Sequence, residues 1–481
     1  MWGEIFTIVL GKRAADIDFN RTATLIEGWA YFNATLLGTI FQRMGLPESS
    51  LEFLLTGARF SRPSPLSLVR NLPGLLRLLG RDLDLVKRFA GETKPGPLLA
   101  GLEQTSADTL SPRQLLERIA EIQAGLRVVT YYNILAPLGF AIRKALLRVP
   151  EDWLSEASTA EVASVRQLRS LADKAYQVVG PLDTNQVLSA LAASPEGREV
   201  LTQLDAFLER YGYLSEVGTD IAVPTWREHP ETIHHLFAAL VHQPPRPSTT
   251  FPLPRNAWDR YRKDVCMGRA RLRGQVAEIY ERLLAHLRWT FIALEVHARD
   301  SDQLRDAGDI FFLELPEVQA LVTGVRTGQP LQEQVDQRKH AFHQQRRQNP
   351  PPVVYGTQLP RVQPLSTAGP GKRLKGIAAS RGQAVGRVRT LRSLSDLQSI
   401  ADLGSDFVLV VPYTDAGWTP LLMQARAIVC EVGGKLSHGA IIAREYNLPA
   451  VMNVTGATQL LQDGQRVRVD GGLGTVEILE G

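Results

Sequence analysis

Between Asn349 and Arg373 the chain changes character, and that break limits its possible folds more than any other feature. The segment carries six prolines among Gly, Ser and Thr residues and has no amphipathic period. Such a composition makes a semi-stiff, extended connector rather than a helix or a strand. Before it, residues 1–348 read as helix: the runs Ser111 to Val128, Val162 to Val179 and Gly268 to Ala298 place apolar side chains three or four apart. Proline clusters at Ser61–Leu66, Gln243–Pro254 and Pro350–Pro352 should interrupt those helices. After it, short apolar runs alternate with turn residues, at Val385–Val388, Phe407–Val411, Ala427–Cys430, Ala450–Val454, Val467–Val469 and Thr475–Leu479. The expected architecture is therefore multidomain: a mainly α-helical N-terminal domain over 1–348, a linker over 349–373, and a compact C-terminal α+β domain over 374–481.

Composition narrows the function classes. Apolar residues make up 44% and charged residues 22%, the mix of a soluble globular chain, and a net charge of only +4 gives no case for nucleic-acid binding. Cys266 and Cys430 lie far apart without metal-type spacing, which fits a reducing, cytoplasmic setting. The opening MWGEIFTIVLG lacks the basic flank of a signal peptide and soon meets Lys12, Arg13 and Asp16. The most apolar stretch, Val128–Ile142, is bounded by Arg127 and Arg143 and contains Pro137. It falls short of the roughly 20 residues a spanning helix needs, so a buried helix pair or an interfacial surface is expected, with no stable membrane insertion. His229, His234 and His235 have neither the HExxH spacing nor thiol partners, and no metal site is expected. The segment Gln332–Gln348, with Arg338, Lys339, Arg346 and Arg347, reads as the solvated tail of a helix entering the linker.

Chemistry concentrates in Glu431–Val451, EVGGKLSHGAIIAREYNLPAV. A strand ending near Cys430 would run into Gly433 and Gly434, which permit a tight turn and close approach of a ligand. Ser437 has the chemistry of an N-cap, and Leu436 with Ile441 would staple the helix start. The helix should run to about Tyr446 and stop at Asn447 and Pro449. His438 then falls at the first helical position, where free N–H groups and the positive end of the dipole favour an anion on its side chain. The same field disfavours an imidazolium and leaves a nucleophile. Gly439 would leave room beside the ring for a phosphoryl group. Taken alone, such a histidine would be an ordinary early-helix residue bonded to its loop; its neighbours decide otherwise.

Those neighbours resemble the swivelling phosphohistidine domain of the phosphoenolpyruvate-utilising enzymes, which include pyruvate phosphate dikinase, phosphoenolpyruvate synthase and the rifamycin phosphotransferases. The matching positions are Gly433, Gly434, Ser437, His438, Gly439, Ala440, Ala443, Arg444, Glu445, Pro449, Ala450 and Val451. GIAASRGQAVGRV at Gly376–Val388, YTDAGWTPLL at Tyr413–Leu422 and DGGLGTVEIL at Asp470–Leu479 follow in the family's order, so the resemblance spans about Leu374 to Glu480. One departure is Arg381, where the family usually has proline; this affects a surface turn. Weaker similarity to the rifamycin phosphotransferase type covers Tyr31–Pro47, Tyr211–Pro230 and Asp309–Val318, where the family's helical domain binds the phosphoryl acceptor. On that basis Glu216, Asp220 and Arg227 are the acceptor-side candidates, with Glu228 in the same polar stretch.

The resemblance implies a phosphotransferase component. His438 is its catalytic residue, and Gly433, Gly434, Ser437 and Gly439 support the phosphoryl site. Family members load the histidine from an ATP-grasp domain or a phosphoenolpyruvate barrel. This sequence shows no P-loop, no glycine-rich nucleotide loop with a following lysine and no cluster of magnesium-binding carboxylates. ATP and Mg are accordingly expected on a separate ATP-grasp polypeptide, with a small-molecule acceptor at the helical domain. The alternative is a non-catalytic binding or regulatory relative that kept the fold without ATP-dependent activity.

Overall fold

The computed structural model describes residues 2–26, 29–44, 72–74, 76–77, 80–92, 95–150, 153, 160–241, 254, 256–324, 330–346, 354, 369–394, 396, 406–434 and 437–480. The expected linker 349–373 lies outside the described residues save 354 and 369–373, as do the proline clusters apart from Pro254.

In chain order the first part holds α1 (Trp2–Leu10), an antiparallel pair β1 (Ala23–Ile26) and β2 (Trp29–Phe32), α2 (Ala34–Arg43), α3 (Leu85–Glu92), α4 (Pro95–Gln104), α5 (Pro112–Leu147), α6 (Ala160–Val179), α7 (Thr184–Ala193), α8 (Pro195–Tyr211), α9 (Pro230–Val241), α10 (Ala257–Asp300), α11 (Leu315–Thr323) and α12 (Leu331–Arg346). The mainly helical N-terminal reading holds. Its three amphipathic runs became α5, α6 and α10, each longer than the stripe that announced it. α5 starts where its stripe does and gains its extra length at the C-terminal end. Gln114 reaches back to accept from the Ser111 N–H at 3.0 Å and from its hydroxyl at 2.8 Å, with Pro112 at the first helical position. The helix then passes through Pro137 without ending, so Val128–Ile142 belongs to one long helix and not to a helix pair. Val129, Tyr132, Leu135 and Ala136 in that stretch are buried. No helix among the described residues is long and apolar enough to cross a membrane.

The chain divides into two compact units, residues 1–136 with 282–364, and 137–281 with 365–481. In the first, Phe6, Leu10, Ile17, Ile40 and Phe41 form a local core. The basic segment of α12 departs from the solvated face expected of it. Arg338 pairs in a two-pronged fork with Glu317, at 2.6 and 2.9 Å, and Lys339 bonds Asp306 and the buried Asp309. The spacing of charges along α12 alone does not reveal these partners, because they lie on α11 and on the turn before it.

The second unit joins α6 to α9 with the C-terminal α+β domain. That domain runs β3 (Arg373–Lys375), β4 (Ile377–Ser380), β5 (Gln383–Thr390), β6 (Phe407–Val411), α13 (Thr419–Leu422), β7 (Ala427–Cys430), α14 (His438–Glu445), β8 (Ala450–Met452), α15 (Ala457–Leu460), β9 (Arg466–Asp470) and β10 (Thr475–Glu480). All six apolar runs became strands. The sheet order is β3-β10-β9-β5-β6-β7-β8-β4, parallel from β5 to β8 and antiparallel elsewhere. β6 and β7 are buried at every position, as parallel strands covered on both faces must be. Burying each of their valines contributes roughly 1.5–3 kcal/mol.

β3 and β4 carry too little pattern to be foreseen, yet they close the sheet. They are one residue apart, and at Gly376 the chain leaves β10 to pair with β8, so the two sheet edges are one strand changing partners. A Cβ at Gly376 would stand 2.4 Å from the Met452 carbonyl oxygen. Gly376→Ala should therefore cost about 1–3 kcal/mol in urea unfolding; an unchanged midpoint would refute the closure argument.

Asp470, at the end of β9, accepts from the N–H groups of Leu473 (2.8 Å) and Gly472 (2.9 Å) and from Gln383 Nε2 on β5 (2.6 Å). These bonds, the Leu473 N–H first, hold its carboxyl below the ordinary 3.8. The folded chain thus binds this proton less readily than the unfolded chain. The stabilisation is full above the ordinary value and is lost as pH falls through the folded one. Asp470→Asn should lower stability at neutral pH and flatten the acid limb of a stability–pH curve; an unaltered acid limb would show that Asp470 contributes nothing there.

Candidate active site

Beyond β7 the chain turns at Gly433, whose φ of +154° is unfavourable for other residues and whose missing side chain lets Ser437 Oγ approach. Gly434 supplies the carbonyl that closes this turn, accepting from the Ser437 N–H at 3.1 Å and its hydroxyl at 2.8 Å. The helix α14 then begins at His438 and ends where expected: Asn447 takes a left-handed φ of +51°, and the Leu448 N–H returns to the Ala443 carbonyl at 2.7 Å. Leu436, the proposed staple residue, lies outside the described residues.

Two expectations about this turn need correcting. Ser437 occupies the N-cap position with extended backbone, but its hydroxyl is spent on Gly434 and caps nothing. Thr414, from the loop after β6, caps instead: its Oγ1 accepts the Gly439 N–H at 3.0 Å. Nor does Gly439 leave space beside the ring. A Cβ there would meet Thr414 Oγ1 at 2.5 Å, so the glycine admits the threonine.

His438 is half-buried, and its Nε2 lies 2.8 Å from Oγ1 of Thr419, a wholly buried residue at the start of α13. The site is thus built from the 434–439 turn and from loop 413–419, which supplies Thr414 and Thr419. Sequence reasoning had noted YTDAGWTPLL without giving these threonines a role. Cys430, close by, is no rival nucleophile, since burial pushes its thiol up to about 12.

The acceptor-side candidates share one loop between α8 and α9, closed by an antiparallel bridge of Ser215 with Thr225. Glu216 points to the sheet domain: its Oε2 accepts from the Ser393 hydroxyl and the Leu394 N–H, both at 2.9 Å. Asp220 is exposed and accepts the Ala222 N–H at 2.9 Å, fixing a local turn. Arg227 is also exposed, its N–H bonded to the Gly212 carbonyl at 2.9 Å. Glu228 accepts from the N–H and hydroxyl of Thr225. The loop also reaches loop 413–419: Asp415 Oδ2 accepts the Gly218 N–H at 2.9 Å, and the Gly417 N–H donates to the Ser215 carbonyl at 3.0 Å. Among the described residues no group of three or more His, Cys, Asp or Glu side chains is placed to hold a metal ion.

Residues 403–474, which include His438 and loop 413–419, match the family described as PEP-utilising enzyme, mobile domain. Over this stretch the chain is similar to the mobile domain of PEP-utilising enzymes. A second block, residues 149–294, matches the fourth domain of rifampicin phosphotransferase and contains the 215–228 loop. Rifampicin phosphotransferase from Streptomyces sviceus is 29% identical over 377 residues, covering 68% of this chain and 42% of that protein. The Bacillus cereus protein of the same name is 26% identical over 374 residues, with the same coverage of 68% and 42%. An uncharacterised protein of Mycobacterium tuberculosis is 29% identical over 492 residues, 97% of this chain and 53% of that one. The chain therefore spans less than half the length of these two phosphotransferases and about half that of the mycobacterial protein. In the mobile domain, the swap of capping residue can be measured directly. Thr414→Val should destabilise by about 0.5–2 kcal/mol through loss of the cap, and Ser437→Ala by less. A larger loss from Ser437→Ala in thermal unfolding would reverse the assignment.

Proposed function

We propose that this chain is a phosphotransferase component in which His438 carries a phosphoryl group from a donor nucleotide to a small-molecule acceptor. The observation that carries the reading is the position of His438 at the first residue of α14, inside the segment matched to the mobile domain. There the positive end of the helix dipole favours a dianion on the ring, and the nearby Thr419 hydroxyl can donate to a phosphoryl oxygen.

The chemistry is double displacement. A ring nitrogen attacks phosphorus of ATP, the N–P bond forming as the P–O bond to the departing nucleotide breaks. An acceptor oxygen then attacks the phosphohistidine and the N–P bond breaks. Magnesium at the donor site would neutralise charge on the transferring group. We assign ATP and Mg to an ATP-grasp site on a partner polypeptide and the acceptor to the helical segment matched to the rifampicin phosphotransferase fourth domain. Asp220 and Arg227 are the side chains offered toward it, and Glu216 braces the loop that presents them. The buried, unpaired thiols of Cys266 and Cys430 suit a reducing, cytoplasmic setting.

With radiolabelled ATP and an ATP-grasp donor protein, the wild-type chain should take up label that is acid-labile and alkali-stable, as a phosphoramidate is. His438→Ala and His438→Asn should reduce labelling to background while changing stability by less than about 1 kcal/mol. Labelling of the alanine variant, or an acid-stable adduct, would refute the assignment.

A further inference from the structure

Loop 413–419 is held from two sides through different atoms. Toward α14, Thr414 Oγ1 takes the Gly439 N–H and Thr419 Oγ1 bonds His438 Nε2. Toward the loop between α8 and α9, Asp415 takes the Gly218 N–H and Gly417 donates to the Ser215 carbonyl. The second approach is close enough to require glycine, because a Cβ at Gly417 would stand 2.4 Å from the Ser215 oxygen. Glu216 adds a second carboxylate, accepting from Ser393 and Leu394 of the sheet domain. Hydrogen bonds to a carboxylate are stronger than neutral ones.

The bond at Nε2 has a chemical consequence. In one tautomer Nε2 accepts the Thr419 hydroxyl hydrogen; in the other it carries the proton and donates to the threonine oxygen, leaving the lone pair on Nδ1. Either way the Nε2 electron pair is engaged, in the hydrogen bond or in the N–H bond, so loading through Nε2 requires Thr419 to give way.

We propose that segment 215–218 is a latch. Engaged by Asp415 and Gly417, it fixes loop 413–419 so that Thr419 parks unphosphorylated His438 with Nε2 masked. Release of the latch frees the histidine for loading. The proposal rests on the phosphoryl-carrier reading of His438 and adds a control to it. Asp415 is a positioning residue that acts through Thr414 and Thr419 without touching the reacting atoms.

The full chain labelled with 15N-glycine and 15N-histidine reads both ends of the loop, through amide exchange at Gly218, Gly417 and Gly439 and through the His438 ring-nitrogen shifts. Asp415→Ala should speed exchange at all three glycines by at least about tenfold and move the His438 shifts toward those of a free imidazole. Asp415→Asn, whose amide oxygen can still accept the Gly218 N–H, should stay near wild type. Glu216→Ala should act in the same direction as Asp415→Ala but more weakly, and it serves as the test if Asp415→Ala does not fold. With the ATP-grasp donor present, Asp415→Ala should label faster than wild type. Faster exchange at Gly218 with Gly439 and His438 unmoved would overturn the latch. A wild-type chain that never takes label while the exchange and shift changes occur would overturn the carrier reading and leave the structural coupling standing. A chain that labels normally while Asp415→Ala moves neither Gly439 nor His438 would do the reverse.

Discussion

The site depends on the bond from the Gly439 N–H to Thr414 Oγ1. A helix start leaves N–H groups that need acceptors, and a buried one left unpaired costs more than the bond itself returns. Here the acceptor comes from a different loop, 25 residues earlier in the chain. That choice couples the orientation of His438 to the placement of loop 413–419. It also explains why residue 439 must be glycine: the threonine occupies the volume a side chain would need.

Loop 413–419 in turn takes its position from what surrounds it. Trp418 and Thr419 are wholly buried, β6 immediately before the loop is buried along its length, and the loop's outer side bonds the 215–218 segment. Glycines mark the close approaches, at Gly376 where the sheet closes, at Gly417 where two loops meet, and at Gly439. Each is a place where backbone or side chain of another element fills the missing Cβ. At these three positions the motif glycines serve packing.

Both blocks of similarity fall largely within the second compact unit, residues 137–281 with 365–481. The segment matched to the rifampicin phosphotransferase fourth domain is joined to the segment matched to the mobile domain by the bond from Gly218 to Asp415, and to Ser393 and Leu394, before that segment begins, by Glu216. These bonds are directional. Beside them the buried α13 packs against α6, and Gln424 Nε2 reaches the Leu236 carbonyl at 3.5 Å, so polar and apolar contacts share the join.

The six apolar runs after residue 374, the long amphipathic helices, the turn at Gly433 and Gly434, and the position of His438 at a helix start were all legible in the sequence. Each rests on local information: apolar period, turn chemistry or a short motif whose residues are neighbours in the chain. β3 and β4 were not legible, because strands of three and four residues carry too little alternation and exist only through their partners β10 and β8. The replacement of Ser437 by Thr414 as cap, the bond of Thr419 to His438, and the engagement of Glu216 by the sheet domain were equally hidden. Either residue type at either position has the right chemistry, and only tertiary packing decides which hydroxyl or carboxylate comes within 3 Å of which donor. The sequence by itself determined most of the elements and the place of His438 at a helix start; the tertiary structure chose its partners, because those partners lie 19 to 25 residues away in the case of His438 and its helix, and 177 or more for Glu216.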